Sequence, residues 1–170
     1  MENQTNSLYE EICKLQELCK RMEEMEMYDS WFNPPATEEE IENWENTNGL
    51  LIPESYKEWL RFSNGSQIFN NTARFYNLNE IIKYEKREKY IPEDMVIFGE
   101  LVGDGELLCF LKTTGKIISL FEGKIEEIAS FKEVVNEVIR SGKSILGEDE
   151  SSRDITAKLM AMLEAQRRGE

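Results

Sequence analysis

The sequence predicts an α+β chain, with helices toward both ends and a run of strands between them. Three observations predict it. Apolar residues recur at helical spacing near the start and again near the end. Between these lie short apolar blocks such as "MVIFG", "ELLCFL" and "KIISLF", each of strand length and bounded by glycine or polar turns. At 170 residues and 40% hydrophobic content, the chain fits one domain with a modest core and some surplus for an extra helix at either end.

In the first helix Leu8, Ile12, Leu15, Cys19 and Met22 follow one another at intervals of four and three, which makes an apolar stripe. Met25 and Met27 extend it toward "YDSWFNPPAT", where Pro34 and Pro35 stop a helix. A lone amphipathic helix needs a surface, so residues 1–33 are expected to pack on the domain. In "TEEEIENWENTNG", Thr37 and Glu40 form a capping box in which each side chain satisfies a free backbone N–H. Glu38, Glu39 and Glu40 fall in the first turn, where the helix dipole favours negative charge. Ile41 and Trp44 share a face, and Asn48-Gly49 supplies a left-handed stop. The pattern repeats in "LLIPESYKEWLRFSNGS": Pro53 presets the first turn, Tyr56, Trp59, Leu60 and Ser63 line one face, and Asn64-Gly65 closes the helix. Together the two helices predict a compact helical corner.

Beyond the corner the period changes. "QIF" and "ARFYNL" read as short strands, and "NEIIKYEKREKY" as a charged helix or loop. Its bases, Lys83, Lys86, Arg87 and Lys89, are interleaved with Glu85 and Glu88, which describes a solvated surface better than a nucleic-acid patch. Three strands at hairpin spacing follow, with "TTGK" as the second turn, and "GKIEEIASF" adds another. Phe131, Val134, Val135, Val138 and Ile139 then mark a helix, which Gly142 is expected to end. "SILGEDESSRD" reads as a linker to a last helix bearing Ile155, Leu159, Met162 and Leu163. The expected organisation is an N-terminal helix in 1–33, a core in 34–142, and a linker plus helix in 143–170.

The stretch "FGELVGDGELLCF", residues 98–110, has the glycines and acids of a ligand loop. It lacks the lysine and hydroxyl of a P-loop, and Leu108 stands where a dinucleotide fingerprint needs glycine. Asp104 and Glu106 are too few for a calcium loop. A turn between two apolar strands fits, with Asp104-Gly105 at its tip.

The chain contains 34 acids, 20 bases and no histidine, for a formal charge of −14. The missing histidine removes Ser-His-Asp and Cys-His mechanisms and most zinc hydrolases. The negative charge disfavours nucleic acid and suits a basic protein partner. Residues 1–48 hold 13 acids against 3 bases, so the imbalance is concentrated there. Three cysteines without a C-x-x-C pair point to reduced thiols and a cytoplasmic setting, with Cys109 packed in a strand. There is no basic leader with an apolar core, and no apolar run of membrane-spanning length. No catalytic residue, cofactor or metal ligand is expected.

The order of "PPATEEEIENWENTNGLLIPESYKEWLRFSNGS", "FYNLNEI", "IFGELVGDGELLCFL", "TGKIISL" and "IASFKEVVNEVI" resembles the SUKH superfamily, the Smi/Knr-type domain. The positions that carry the resemblance are Ile41, Pro53, Tyr56, Leu60, Asn64-Gly65, Gly99, Gly103-Asp104 and Phe131, and they look structural. Ile52 stands where the family usually has leucine, and the chain continues past the family's expected end. The resemblance implies a single α+β domain with a mixed, mostly antiparallel sheet flanked by helices. It also implies a non-enzymatic role, in bacterial members that of an immunity protein blocking a toxin, often a nuclease. A regulatory or scaffold protein docking a cellular client is the alternative. The acids expected to meet the partner are Glu38, Glu39, Glu42, Glu100, Asp104 and Glu106.

Overall fold

The computed structural model describes residues 7–85, 92–101, 105–148 and 150–169. In chain order the elements are α1 (Tyr9–Glu24), β1 (Trp31–Phe32), α2 (Glu38–Asn48), α3 (Glu54–Phe62), β2 (Ser66–Ile68), β3 (Ala73–Phe75) and α4 (Leu78–Glu85). They continue with β4 (Met95–Leu101), β5 (Glu106–Leu111), β6 (Ile117–Phe121), β7 (Lys124–Ile128), α5 (Phe131–Ile145) and α6 (Glu150–Arg167). The seven strands form one sheet in the order β1 to β7, and every neighbouring pair is antiparallel. The fold is thus α+β, with a C-terminal helix.

The helical corner forms as its caps dictate. Thr37 accepts from the Glu40 N–H while the Glu40 carboxylate accepts from the Thr37 N–H, and Gly49 at φ +63° closes α2. Pro53 caps α3 as expected, its carbonyl accepting from the Lys57 N–H to open the first turn. Asn64-Gly65 has a different part from the stop predicted. Ser63 already ends α3 in extended backbone. The Asn64 side chain instead accepts from the Leu78 N–H at the start of α4, and its own N–H donates to the Pro34 carbonyl. Gly65, at φ +99°, leaves no room for a Cβ between Asn33 and Asn77. The pair ties three segments together.

Ile41, Tyr56, Trp59, Leu60 and Phe131 are all buried in the core against the inner strands. Tyr56 and Phe98 lie 4.5 Å apart between ring centres, Phe75 and Phe131 4.9 Å, and Trp59 and Phe75 5.1 Å. The Tyr56 hydroxyl donates to the Tyr76 carbonyl, which gives the buried phenol its partner.

α1 packs along α5. Leu8, Leu15, Leu18 and Met22 are buried, Ile12 and Cys19 only partly, and Met25 and Met27 are exposed. The buried face is therefore rotated from the predicted stripe, and it includes Glu11, which pairs with Lys132 at 3.6 Å. α5 runs through Gly142 to Ile145, against the stop expected there. Gly142 is a packing residue: a Cβ at that position would lie 2.7 Å from the Phe69 ring. Consequently the expected linker is short, because much of "SILGEDESSRD" joins α5 or α6. Strand β1 had no sequence signal strong enough to predict it, since two residues carry no period.

Leu101 and Glu106 are register partners, so the 98–110 stretch does join two antiparallel strands. Gly105 has φ +74°, and Gly103 and Asp104 lie outside the described residues. Gly99 follows a bulge in β4, where a Cβ would come within 2.9 Å of the Arg74 carbonyl oxygen. That oxygen belongs to the backbone of the neighbouring strand and cannot swing aside. Gly99→Ala is expected to destabilise the protein by about 1–3 kcal/mol, read from the midpoint of urea unfolding.

Burial raises the Tyr56 phenol well above its ordinary value, and the nearby Glu80 and Tyr76 add to the shift. The same loss of solvation pushes the Cys109 thiol from 9.0 up to about 12. Both folded values are raised, so the stabilisation is whole below the unfolded values and is lost as pH rises through them. Unfolding free energy should therefore begin to fall above about pH 9 as the unfolded chain gives up these protons. Urea titrations at stepped pH check this, and Tyr56→Phe should make the decline shallower.

Candidate functional site

The last strands and α5 enclose an acidic cleft of about 580 Å3. One row of register partners runs from the buried Leu108 on β5 to Ser119 on β6 and Glu126 on β7, and the last two line the cleft. Side chains on a strand alternate faces, so Glu106 projects on the same side as Leu108. Val134 closes the opposite wall, with Glu133 and Glu137 one turn apart on α5 beside it. Arg140 also lines the cleft but is held by Glu137. Glu106, Glu126 and Glu133 have no basic partner among the described residues. Ser119 is only 4% exposed, and its hydroxyl makes no hydrogen bond to any described residue. Among the described residues, no three His, Cys, Asp or Glu side chains could hold a metal ion. The arrangement can accept hydrogen bonds from, and neutralise, a cationic group.

The acids expected from the sequence do not form one site. Glu106 lies in the cleft. Glu100 pairs in register with Leu107, the neighbour of Glu106, and so faces the other side of the sheet. There its carboxylate accepts from the Tyr76 hydroxyl at 3.2 Å. Glu38, Glu39 and Glu42 are exposed on α2. The Glu38 carboxylate is held by Arg61, whose hydrogen bond keeps it below its usual range of protonation. Asp104 lies outside the described residues.

Sequence reading did not single out Ser119, Glu126 or Glu133. "KIEEI" does carry acids on a final strand, and Glu133 and Glu137 are spaced for one helix face. Those local signals mark solvent exposure, whereas convergence on one cleft depends on the packing of α5 over the sheet.

The model of the SMI1/KNR4 family (SUKH-1) matches residues 35–137. The chain belongs to that family. No curated protein matches the chain. The SUKH-1 match begins just before α2 and ends within α5, so it takes in the helical corner, β2 to β7 and most of the cleft's lining. α1 and α6 lie outside the matched SUKH-1 span. α6 exposes Ile155, Leu159, Met160, Met162 and Leu163. None of the described helices is long and apolar enough to cross a membrane.

Glu106, Glu126 and Glu133 contribute no salt bridge among the described residues. Replacing Glu106, Glu126 and Glu133 together by glutamine should leave stability within about 0.5 kcal/mol of the parent, or raise it, in urea unfolding at low salt.

Proposed function

We propose that this SUKH-1 chain is a non-enzymatic immunity protein of the cytoplasm that neutralises a cognate toxin, a nuclease domain, by stoichiometric binding. The observation that carries the reading is the cleft in which Glu106, Glu126 and Glu133 stand without basic partners among the described residues. Carboxylates left unpaired beside a fold that does not need them for stability are free to meet a cationic surface. A nuclease must hold phosphates, so its active site is basic. An acidic protein is steered toward such a site by the long-range field and can then cover it. With a formal charge of −14, the whole chain adds to that steering. The absence of histidine and of any nucleophile–base motif supports a binding role over turnover.

Titration calorimetry tests the proposal, with the purified protein and the C-terminal domain of the protein encoded immediately upstream. Expected are saturable binding at one-to-one stoichiometry, loss of that domain's nuclease activity, and weakening with added salt. Absence of heat from two folded samples overturns the immunity reading and favours the docking of a cellular client.

A further inference from the structure

The outer edge of β7 borders the acidic cleft, and the backbone geometry there shows which groups are free. Glu122 and Gly123 both have positive φ, +48° and +77°, so β6 and β7 are joined by a two-residue turn of the mirror-image type. Such a turn is closed by a hydrogen-bonded pair, here Phe121 and Lys124. Pairs then alternate along the ladder. Ser119–Glu126 is bonded, while Leu120–Ile125 and Ile118–Glu127 are not. The backbone N–H and C=O groups of Ile125 and Glu127 therefore point away from β6, toward the open edge. β7 is the last strand of the sheet, and Lys124, Ile125, Glu126 and Glu127 are all exposed.

We propose that β7 accepts an extended basic segment of the protein partner as an eighth strand, with its Lys or Arg side chains entering the cleft toward Glu126, Glu133 and the Ser119 hydroxyl. This rests on the protein-binding reading above and names the mode of recognition. Two features choose the occupant. On the α5 side, an added strand runs past Lys124, then past Glu126 and the cleft, where Glu106, Glu126 and Glu133 have no basic partner among the described residues and can meet cations. The Ser119 hydroxyl, on a residue only 4% exposed and without a hydrogen bond to any described residue, supplies an acceptor for an ammonium or guanidinium donor. On the other side the added strand meets Ile125, which is 55% exposed, and Glu127, already paired with Lys116. The fitting segment thus alternates a basic with an apolar residue. For a second copy of β7, antiparallel pairing about Glu126 sets that carboxylate against its own counterpart, while pairing about Ile125 sets Lys124 against Glu126.

The probe is an acetylated, amidated peptide of alternating lysine and valine, titrated into the isotopically labelled full chain. Amide shifts should gather on Lys124–Ile128 and on the cleft-facing part of α5, with the Ile125 and Glu127 amides newly protected from hydrogen exchange. Ile125→Pro removes one outward donor and leaves the β6–β7 ladder bonds in place. It should weaken the peptide about tenfold, since the peptide carbonyl loses its partner, while Ile125→Ala stays within about threefold. Glu126→Lys, on the exposed face, should lose the lysine peptide and gain a glutamate–valine one. Equal affinity for the folded Ile125→Pro protein, shifts without protection of the two amides, or no binding of the peptide overturns strand addition. The upstream domain separates this from the functional proposal. If that domain binds the parent and Ile125→Pro equally, strand addition fails and the immunity reading stands. If the peptide behaves as expected but the domain does not bind, the immunity reading fails and the β7 site stands.

Discussion

The ring of Phe131 stands near edge-on to Tyr56 and Phe75, at centroid distances of 5.0 and 4.9 Å, and most of the fold takes its position from that contact. Phe131 opens α5, and its backbone N–H is capped from outside the helix by the Ser55 hydroxyl at 3.0 Å. The start of α5 is thereby pinned to the start of α3. Tyr56, one residue on, sends its hydroxyl to the Tyr76 carbonyl between β3 and α4. Helical corner, sheet and α5 are joined at one aromatic cluster, whose edge-to-face geometry each contribute roughly 0.5–1.5 kcal/mol beyond simple burial. Such packing tolerates little displacement, and beside Phe75 of the cluster Gly99 has no space for a methyl group.

That pinning also makes the cleft. α5 leaves the cluster over the α3 side of the sheet and carries Val134 and Val138 inward. Glu133 and Glu137 ride on the outer flank of the same helix, toward the last strands. A helix anchored at its first residue cannot roll to bring these acids to open solvent without pulling valines from the core. The acids of β5 and β7 meet them because the sheet is antiparallel in strict chain order, so the last three strands lie side by side at its edge.

Charge in this protein has two separate uses. The acids of α2 support their own helix: Glu40 completes the capping box, Glu38 pairs with Arg61, and all three at the first turn favour the dipole. Three acids of the cleft have no such role. Glu106, Glu126 and Glu133 line one cleft without a basic partner among the described residues. The distinction is one of partners in space, and a count of acids along the chain runs opposite to it, since residues 1–48 are the more acidic part.

The sequence by itself determined the elements whose signals are local. The capping box at Thr37, the left-handed stop at Gly49, the hairpin strands and the apolar face of α5 each lie within a few residues of their cause, and all were legible. The family's short motifs were legible for the same reason, since their order along the chain carries the information. Tertiary structure alone decided the rest. Gly142 reads as a stop because glycine ends helices, yet it continues α5 because Phe69 needs the space. Asn64-Gly65 reads as a helix end, but its side chain and backbone join Pro34 to α4 across the corner. Glu100 and Glu106 look like one acidic group, and the strand register sends them to opposite faces. Ser119, Glu126 and Glu133 come together because a helix docked by an aromatic cluster lies over the sheet. Contacts between side chains from different elements are set by packing, and no local pattern encodes them.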